Sequence, residues 1–314
     1  MRHAVAALGL LSWDRFLVTA TYPGLGEYTI VRDRFEQAGG TTGNTCEALA
    51  RLGLSVTVAS AVGDDDEGRH LIDTLRHAGC DTTHITTRQQ QPSDSGVIVI
   101  SGEDSSRDRT IFWIQGARPV MGDVLPVDEL LNHQWILLDV DDPRLRHFFL
   151  ELPSHRSPRT KLFGTMTYLV EMPLGEGWRH ALRHDVTVGN VRELLTLTGT
   201  STLDDAIAMA RSDLVASACR VLYISLGRAG SIAIRSTGVI EQPAWQVDVI
   251  DTTGAGDAFA AGCLWGLLEH RDDEEILRRA NALGGLVCRA FGARAGLPSE
   301  HEVDELLLHG TFRS

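Results

Sequence analysis

The 314-residue sequence predicts an α/β fold in which helices cover both faces of a mainly parallel sheet. Short apolar runs alternate with segments of helical periodicity through most of the chain, and glycines follow several of those segments. Two more exposed β segments, near residues 16–34 and 95–116, interrupt this alternation and predict a small β lid. We therefore expect one domain over residues 1–314, with the lid segments inserted in it.

Composition narrows the class of protein. The formal net charge of −13, from 29 basic and 42 acidic residues, disfavours nucleic acid or an anionic membrane as a main partner. Lys161 is the only lysine, and no Gly-x-x-x-x-Gly-Lys motif occurs. Contacts to a phosphate must therefore come from arginine, from a metal or from backbone N–H groups. No signal peptide or apolar run of membrane-spanning length is found, and we expect a cytoplasmic enzyme.

The cysteines predict neither a disulfide framework nor a zinc site. The five cysteines are odd in number and widely spaced, and no Cys-x-x-Cys occurs. Buried free thiols in a reducing compartment fit this pattern.

The first third of the chain contains two candidate binding elements. Ala4–Leu10 is an apolar run typical of a buried strand, and Asp14 follows it, where open α/β sheets bind ligands. The stretch Gly39–Gly53 starts with glycines and continues at helical spacing. Asn44 within it either caps that helix or hydrogen-bonds the hydroxyls of a polyol held against Gly39 and Gly40.

Two charged clusters leave alternatives open. The acidic turn Asp64–Glu67 could bind a cation, but we favour a solvated turn and helix N-cap, since aspartate is stabilising there. Arg107 and Arg109 lie at the tip of a predicted hairpin formed by Gly96–Ser101 and Thr110–Gln115. They are either solvated or contact a substrate when the lid closes.

Polar residues also follow later predicted strands. The strand Trp135–Val140 ends in an acidic cluster of Asp139, Asp141 and Asp142. We choose Asp141 as a ligand contact, and the alternative is a helix N-cap before Pro143. Asn190 and Glu193 lie in the first turn of one helix and are spaced as a capping pair.

The segment after Val221–Ser225 contains a glycine loop with Gly227 and Gly230. The helical stretch Asp273–Arg289 follows the last glycine turn, and from its pattern Asn281 is interpreted as a surface residue of that helix.

The segment Val249–Gly262 has the pattern of a strand, a tight glycine turn and a helix N-terminus. Small residues leave the unpaired N–H groups of such a helix open to an anion. Asp257 in the first turn would then act as a base toward a substrate hydroxyl, which phosphoryl transfer to an alcohol requires. The alternative is a simple turn in which Asp257 caps the helix.

Two stretches resemble signatures of the ribokinase-like (PfkB) carbohydrate kinases. Asp251–Asp257 is similar to the family's C-terminal Asp-Thr-x-Gly-Ala-Gly-Asp, and residues 39–53 resemble its N-terminal Gly-Gly-x-x-x-Asn signature. They occur in the family's order, roughly two hundred residues apart, which is more specific than either alone. The resemblance implies a three-layer α/β/α ribokinase-like fold and an ATP-dependent sugar kinase that uses magnesium.

The resemblance also assigns roles residue by residue. It implies Asp257 as catalytic base and an anion hole formed by Gly254, Ala255 and Gly256. Substrate contacts are expected from Asp14, Gly39, Gly40, Asn44, Arg109 and Asp141. Contacts to ATP and Mg²⁺ are expected from Asn190, Glu193, Ser225, Gly227, Gly230 and Asn281. Asp251 and Thr253 match a monovalent-cation loop for K⁺, although residues 292–296 depart from the pattern of its other half.

Several functions remain compatible with these signatures. A nucleoside kinase would use the same chemistry, and a sugar-phosphate kinase would need extra cations such as Arg107 and Arg109. The alternative that is not an enzyme is a non-catalytic sugar sensor, and the presence of Asp257, Asn190 and Glu193 argues against it. Exposed lid edges predict a homodimer. The sequence does not identify the sugar or the hydroxyl that is phosphorylated.

Overall fold

The computed structural model describes residues 4–102, 108–152 and 160–313. Its larger sheet contains β1 Val5–Gly9, β4 Val56–Gly63, β5 Asp81–Arg88, β8 Trp135–Asp139, β9 Lys161–Thr165, β10 Val186–Asn190, β11 Val221–Ser225, β12 Ser231–Arg235 and β13 Gly238–Gln242. A second sheet contains β2 Ser12–Thr19, β3 Val31–Gly39, β6 Ser95–Ser101 and β7 Asp108–Ile114, and we call it the small sheet.

The helices are α1 Thr41–Arg51, α2 Asp66–His77, α3 Val127–Leu130, α4 Pro143–Glu151, α5 Glu176–Ala181, α6 Val191–Thr198, α7 Leu203–Leu214, α8 Ala255–Leu268, α9 Asp273–Val287 and α10 Glu300–His309. In the residues described, no helix combines the length and the apolar character needed to cross a bilayer.

The larger sheet has the strand order β13-β12-β11-β10-β9-β8-β1-β4-β5. Neighbouring strands from β5 to β11 pair in parallel, and β12 and β13 are added antiparallel. The prediction of a mainly parallel sheet is therefore confirmed. Because β1 lies between β4 and β8, the chain order reverses beside β1. Such a reversal opens a crevice at the carboxyl ends of the strands.

Helices cover both faces of this sheet. Val5 and Ala7 of β1 belong to an apolar cluster with residues of α1, α8 and α9, whereas Ala6 and Leu8 belong to another with residues of α4. Successive side chains of a strand point to opposite faces, so the two clusters lie on opposite sides of the sheet. The three-layer α/β/α prediction is confirmed.

The small sheet has the order β3-β2-β6-β7 and combines the two β segments that the sequence set apart. Its first strand begins at Ser12, earlier than expected, and its second continues to Gly39. Phe16 and Ile98 are buried in a cluster that Phe35 and Phe291 complete. The small sheet thus packs against a residue that follows α9.

Two local predictions are also confirmed. All five cysteines are free and buried. Asp65 is the N-cap of α2 and accepts a hydrogen bond from the Gly68 backbone N–H at 2.8 Å. Its carboxylate also accepts hydrogen bonds from the backbone N–H and hydroxyl of Ser93.

Candidate active site

The glycine turn before α8 brings an open helix N-terminus into the crevice. Gly254 is the N-cap, with φ of 78°, and a Cβ at this position would lie 2.7 Å from the Ala293 backbone. Only glycine meets both conditions. Among the residues described, no side chain caps this helix end. Its first N–H groups and positive dipole end are therefore suited to bind an anion.

Asp257 lies in the first turn of α8 and contacts the other signature. The Asn44 side-chain nitrogen donates a hydrogen bond to Asp257 Oδ2 at 2.7 Å. Because Asp257 does not cap α8, the capping interpretation is wrong. Asn44 is likewise inside α1, whose N-cap is Gly40, so it is not a cap either.

The environment of Asp257 keeps its proton affinity high for a carboxylate. Its pKa is raised to about 7, mainly by burial and to a smaller extent by the nearby carboxylate of Asp139. The hydrogen bond from Asn44 and the charges of Arg109 and Arg294 oppose these effects. A base with a pKa near neutrality can both accept and release a proton at cellular pH.

Asp257 opens onto a cavity of about 410 Å³, which we call the polar cavity. The cavity brings together most of the predicted acceptor-side and magnesium residues. They are Asp14, Gly40, Asn44, Arg109, Asn190, Glu193, Thr253, Gly254, Gly256 and Asp257.

Asp14 reaches the polar cavity from β2. The Ser12 hydroxyl donates to its Oδ1 at 2.9 Å, and burial raises the pKa of Asp14 to about 6. A Cβ on Gly39 would lie 1.9 Å from Asp14 Oδ2, and one on Gly96 would lie 3.0 Å from Oδ1. The predicted Gly39 therefore makes room for Asp14 and is absent from the cavity lining.

Arg109 joins the small sheet to the signature loop, residues 251–257. Its Nη1 donates to the Thr252 hydroxyl at 2.9 Å, so β7 lies over the entrance to α8. Arg107, the other arginine of the predicted hairpin tip, lies outside the described residues.

The structure places Asp141 apart from Asp257. It lines a neighbouring cavity of about 370 Å³, and its Oδ2 lies 2.7 Å from Arg118 Nε. The N-cap of α4 is Asp142, which accepts hydrogen bonds from two backbone N–H groups of the first turn.

Asp139 is the acid of this cluster that lies beside the polar cavity, although Asp141 was chosen from the sequence. It is the last residue of β8, and its carboxylate accepts hydrogen bonds from the hydroxyls of Thr41, Thr42 and Thr165. Its position at the end of a central strand was the signal that could have identified it.

Asn190 and Glu193 form a reciprocal capping box at the start of α6. The Glu193 backbone N–H donates to Asn190 Oδ1 at 2.9 Å, and the Asn190 N–H donates to Glu193 Oε2 at 2.9 Å. The capping interpretation is therefore confirmed. Both side chains also line the polar cavity, and burial raises the pKa of Glu193.

A second cavity of about 210 Å³, the apolar cavity, lies on the other side of the helix N-terminus. Its lining includes the predicted residues Ser225, Gly227, Gly230, Ala255, Gly256 and Asn281. Gly256 lines both cavities, so the glycine turn lies between them.

Asn281 is buried and not on the surface. Its side-chain nitrogen lies 3.1 Å from the carbonyl oxygens of Gln242 and Pro243, which directly precede Ala244 in the lining of the apolar cavity. The interpretation as a surface helix residue is wrong because α9 packs this face against the segment that follows β13.

Asp251 and Thr253 are buried behind the glycine turn. Asp251 Oδ1 accepts from the Thr253 N–H at 3.0 Å and hydroxyl at 2.8 Å, and Oδ2 accepts from the Gly292 N–H at 2.8 Å. Within the described part of the chain, no group of three or more histidine, cysteine or acidic side chains is arranged to hold a metal.

Three further residues at the site were assigned no role from the sequence. Trp113 and Tyr168 line the polar cavity with ring centroids 6.1 Å apart. Arg294 is buried and donates to Asn44.

Comparisons with known proteins agree with this geometry. The family model described as "pfkB family carbohydrate kinase" matches residues 4–300. The chain is 26% identical to a ribokinase of Bacillus subtilis, an alignment covering 96% of this chain and 99% of that protein. It is 29% identical to an aminoimidazole riboside kinase of Salmonella typhimurium, over 86% of this chain and 87% of that one.

The fold is shared with solved structures. A ribokinase of Arabidopsis thaliana, complexed with ribose and ATP, matches with a TM-score of 0.80 at 23% identity, covering 98% of this chain and 99% of that chain.

Proposed function

The chain belongs to the pfkB family of carbohydrate kinases and is therefore a phosphotransferase, and from this premise we propose how its residues act. It transfers the terminal phosphoryl group of ATP to a hydroxyl of a sugar or sugar derivative. The observation that carries this proposal is the position of the glycine turn. Gly256 separates a polar cavity that holds Asp257 from an apolar cavity suited to a nucleotide.

The acceptor binds in the polar cavity. Asp14 and Asn44 present hydrogen-bonding groups there, and the backbone at Gly40 allows a sugar ring to approach closely. The ionised carboxylate of Asp257 accepts the proton of the attacking hydroxyl, which leaves that oxygen free to bond to phosphorus. The phosphoryl group passes to this oxygen while ADP leaves with the former bonding electrons.

The helix N-terminus stabilises the charge on the group in transfer. Backbone N–H groups of Gly254, Ala255 and Gly256 are preorganised by the turn and need no rearrangement as charge develops. This role requires no lysine, in agreement with the composition.

The nucleotide occupies the apolar cavity. Ser225 supplies a hydroxyl at the edge of this cavity. Gly227 and Gly230 have no side chains, so the backbone of the loop after β11 can lie close to the nucleotide. A Cβ on Gly230 would lie 2.1 Å from the Gln242 carbonyl oxygen. Asn281 also lines this cavity, and its two bonds to the carbonyls of Gln242 and Pro243 tie it to the segment that leads into Ala244.

Asn190 and Glu193 fit a magnesium ion that is bound through water. They offer oxygen donors at the polar cavity, and Mg²⁺ retains several waters beside one or two carboxylates. When bound, the ion neutralises charge on the β- and γ-phosphates.

Asp251 and Thr253 are proposed as the monovalent-cation loop. Their hard oxygen donors are of the kind that K⁺ prefers, and Asp251 already connects the signature loop with Gly292. Turnover in K⁺ compared with Na⁺ measures this contribution.

We propose that the whole chain acts as one kinase domain with the small sheet as its lid. Support comes from Asp14, Ile98, Arg109 and Trp113, which bring three strands of this sheet to the polar cavity. Closing the sheet over a bound acceptor would exclude water and suppress hydrolysis of ATP.

A homodimer through the small sheet completes the proposal. Phe112 and Ile114 are 49% and 51% exposed and alternate with the cavity-lining Ile111 and Trp113. They therefore lie on the outer face, where a second copy would bury them. A cytoplasmic location fits the use of ATP and five free thiols.

A riboside with a heterocyclic substituent is the second candidate acceptor. Trp113 and Tyr168 could hold a flat ring in the polar cavity. Relatives include an aminoimidazole riboside kinase, which gives this class independent support.

The test is ADP release with Mg-ATP against ribose, fructose, ketodeoxygluconate, hexose phosphates, inositols and nucleosides, each with Asp257→Asn in parallel. We expect one class to give turnover that the variant abolishes, and ³¹P NMR then identifies the phosphorylated hydroxyl. Sugar binding without turnover in either protein would instead support the sensor alternative.

A further inference from the structure

Arg294 is a buried cation whose contacts converge on the residues around Asp257. It is 5% exposed. Its Nε donates to Asn44 Oδ1 at 2.7 Å, its Nη2 to the Gly39 carbonyl oxygen at 2.6 Å, and its Nη1 to Glu47 Oε2 at 3.2 Å. One side chain from beyond α9 thus connects the turn before α1 with the first turns of that helix.

The bonding of Arg294 fixes the orientation of the Asn44 amide. A guanidinium group has only donors, so the atom of Asn44 that faces it must be the amide oxygen. The amide nitrogen then faces Asp257 and donates to Oδ2 at 2.7 Å. If the Asn44 amide were flipped, its NH2 group would face the donors of Arg294 and its oxygen would face the acceptor oxygens of Asp257. Arg294 therefore determines that Asp257 receives a donor.

We propose that Arg294 is a positioning residue for phosphoryl transfer: it orients Asn44, which in turn holds the carboxylate of Asp257 in place and ionised. This inference rests on the proposed role of Asp257 as the base. Glu47 supplies the negative charge that the buried guanidinium requires.

Space at the helix surface supports the same assignment. A Cβ on Gly43 would lie 2.2 Å from Arg294 Nη2. The chain therefore has glycine where any side chain would displace the guanidinium. The sequence departs from the family pattern at residues 292–296, and the departure places an arginine where it can reach Asn44.

Charged and titratable groups face Asp257 from several elements. Asp139 at the end of β8 raises the pKa of Asp257, whereas Arg109 of β7 and Arg294 lower it. Tyr168, which follows β9, also lies close enough to interact with it. Loss of Arg294 removes a positive charge and frees the Asn44 amide, and both changes raise the pKa of Asp257.

Arg51→Ala is a matched control for Arg294→Ala. Arg51 donates to the other oxygen of Glu47 at 2.8 Å and to the Leu297 carbonyl oxygen at 3.0 Å. Its removal thus breaks an ion pair with Glu47 and a contact to the C-terminal segment. None of its described contacts involves Asn44.

The kinetic test is the pH dependence of kcat and kcat/KM for both variants. For Arg294→Ala we expect kcat to fall about tenfold or more, because the base is misplaced. The acidic limb of kcat/KM should move to higher pH by about one unit, as expected for a weakened charge-assisted hydrogen bond. The KM for ATP should change little. Arg51→Ala should retain the wild-type kcat and the wild-type acidic limb of kcat/KM. Arg294→Lys should recover part of the kcat that Arg294→Ala loses.

A second readout does not depend on turnover. Carbon-13 NMR of labelled aspartate titrates Asp257 without substrate, with Asp257→Asn identifying its resonance. The pKa should rise in Arg294→Ala and stay unchanged in Arg51→Ala. If this shift occurs while the wild-type protein transfers no phosphoryl group, the proposed function fails and the positioning role is confined to the network around Asp257.

The inference would be overturned if Arg294→Ala and Arg51→Ala had the same kcat, the same acidic limb of kcat/KM and the same pKa of Asp257. If Arg294→Ala does not fold, Arg294→Lys and Gly43→Ala provide the same readouts, since each disturbs the guanidinium site. An unchanged pKa of Asp257 in both of them would also overturn it.

Discussion

The polar and apolar cavities meet at Gly256 but are built in different ways. Around the polar cavity, polar and charged side chains from α1, β2, β7 and α8 converge, and each central carboxylate has its own donor, Ser12 for Asp14 and Asn44 for Asp257. The apolar cavity is formed largely by glycines, apolar side chains and backbone. The comparison suggests that the acceptor is selected by placed polar groups and the nucleotide by shape.

The same burial has opposite chemical consequences on the two sides. It brings the pKa of Asp257 to about 7, where a carboxylate can exchange protons. In the apolar cavity it raises the pKa of the Cys288 thiol to about 11, which keeps that thiol neutral and unreactive. Of these two groups, Asp257 is therefore the one suited to proton transfer near neutral pH.

The largest expected effect is that of Asp257→Asn. Loss of the base should lower kcat by about a thousandfold, while the dissociation constants for ATP and acceptor stay near the wild-type values. Single-turnover kinetics and calorimetric binding measure the two parts. Asp73→Asn, which alters an exposed carboxylate paired with Arg76 on α2, is the control and should leave kcat unchanged. A comparable loss in both variants would contradict the assignment.

Asp14→Asn should weaken binding of the acceptor in the polar cavity and leave binding of ATP in the apolar cavity unchanged. Loss of a charged hydrogen-bond acceptor should raise the KM for the acceptor by about tenfold to a hundredfold. The KM for ATP should not change, because Asp14 lines only the polar cavity among those described. Initial rates with each substrate varied in turn provide the measurement. Equal increases in both KM values would show that the two cavities are not independent.

Asn281→Ala should have the complementary, smaller effect. It removes the two bonds to the carbonyls of Gln242 and Pro243, and the KM for ATP should rise about tenfold. The KM for the acceptor should remain constant. In the double variant with Asp14→Asn, the two free-energy changes should add, as they do for sites without shared partners. Strong non-additivity of these free-energy changes would refute the claim that the acceptor and ATP are recognised by separate sites.

The smallest expected effect is on stability. The pKa of Asp257 is raised from 3.8 to about 7 in the folded protein, so between these values the native state binds a proton that the unfolded state has released. Folding is therefore weakened as the pH rises through this window, and the penalty persists above it. Asp257→Asn should melt at a higher temperature than wild type at pH 8, with an advantage that shrinks towards pH 4. A pH-independent difference would show that Asp257 is not the group responsible.

Much of the polar cavity was predictable because it is encoded locally. The glycine turn and Asp257 lie within one short stretch, and so do Gly40 and Asn44. The spacing of Asn190 and Glu193 also predicted their capping box. In each case neighbouring residues in the sequence determine the backbone geometry that presents the side chain.

The remaining parts depend on contacts between distant segments. Arg294 meets Asn44 across a separation of 250 residues, which no local pattern reveals. Asp139 ends β8, one residue before the strand end that the sequence predicted, whereas Asp141 lines a neighbouring cavity. The sequence pattern did not show which of the two acids lies beside the crevice. Asn281 was interpreted as exposed because its helix gives no sign of the segment after β13 that covers it.

The pH dependence of phosphoryl transfer in a single turnover tests the central claim most directly. With acceptor and Mg-ATP bound, the wild-type rate constant should rise about tenfold per pH unit below the pKa of Asp257 and level off above it. The residual rate of Asp257→Asn should be slow and show no such limb. The same acidic limb in Asp257→Asn would contradict the account, because another group would then be the base.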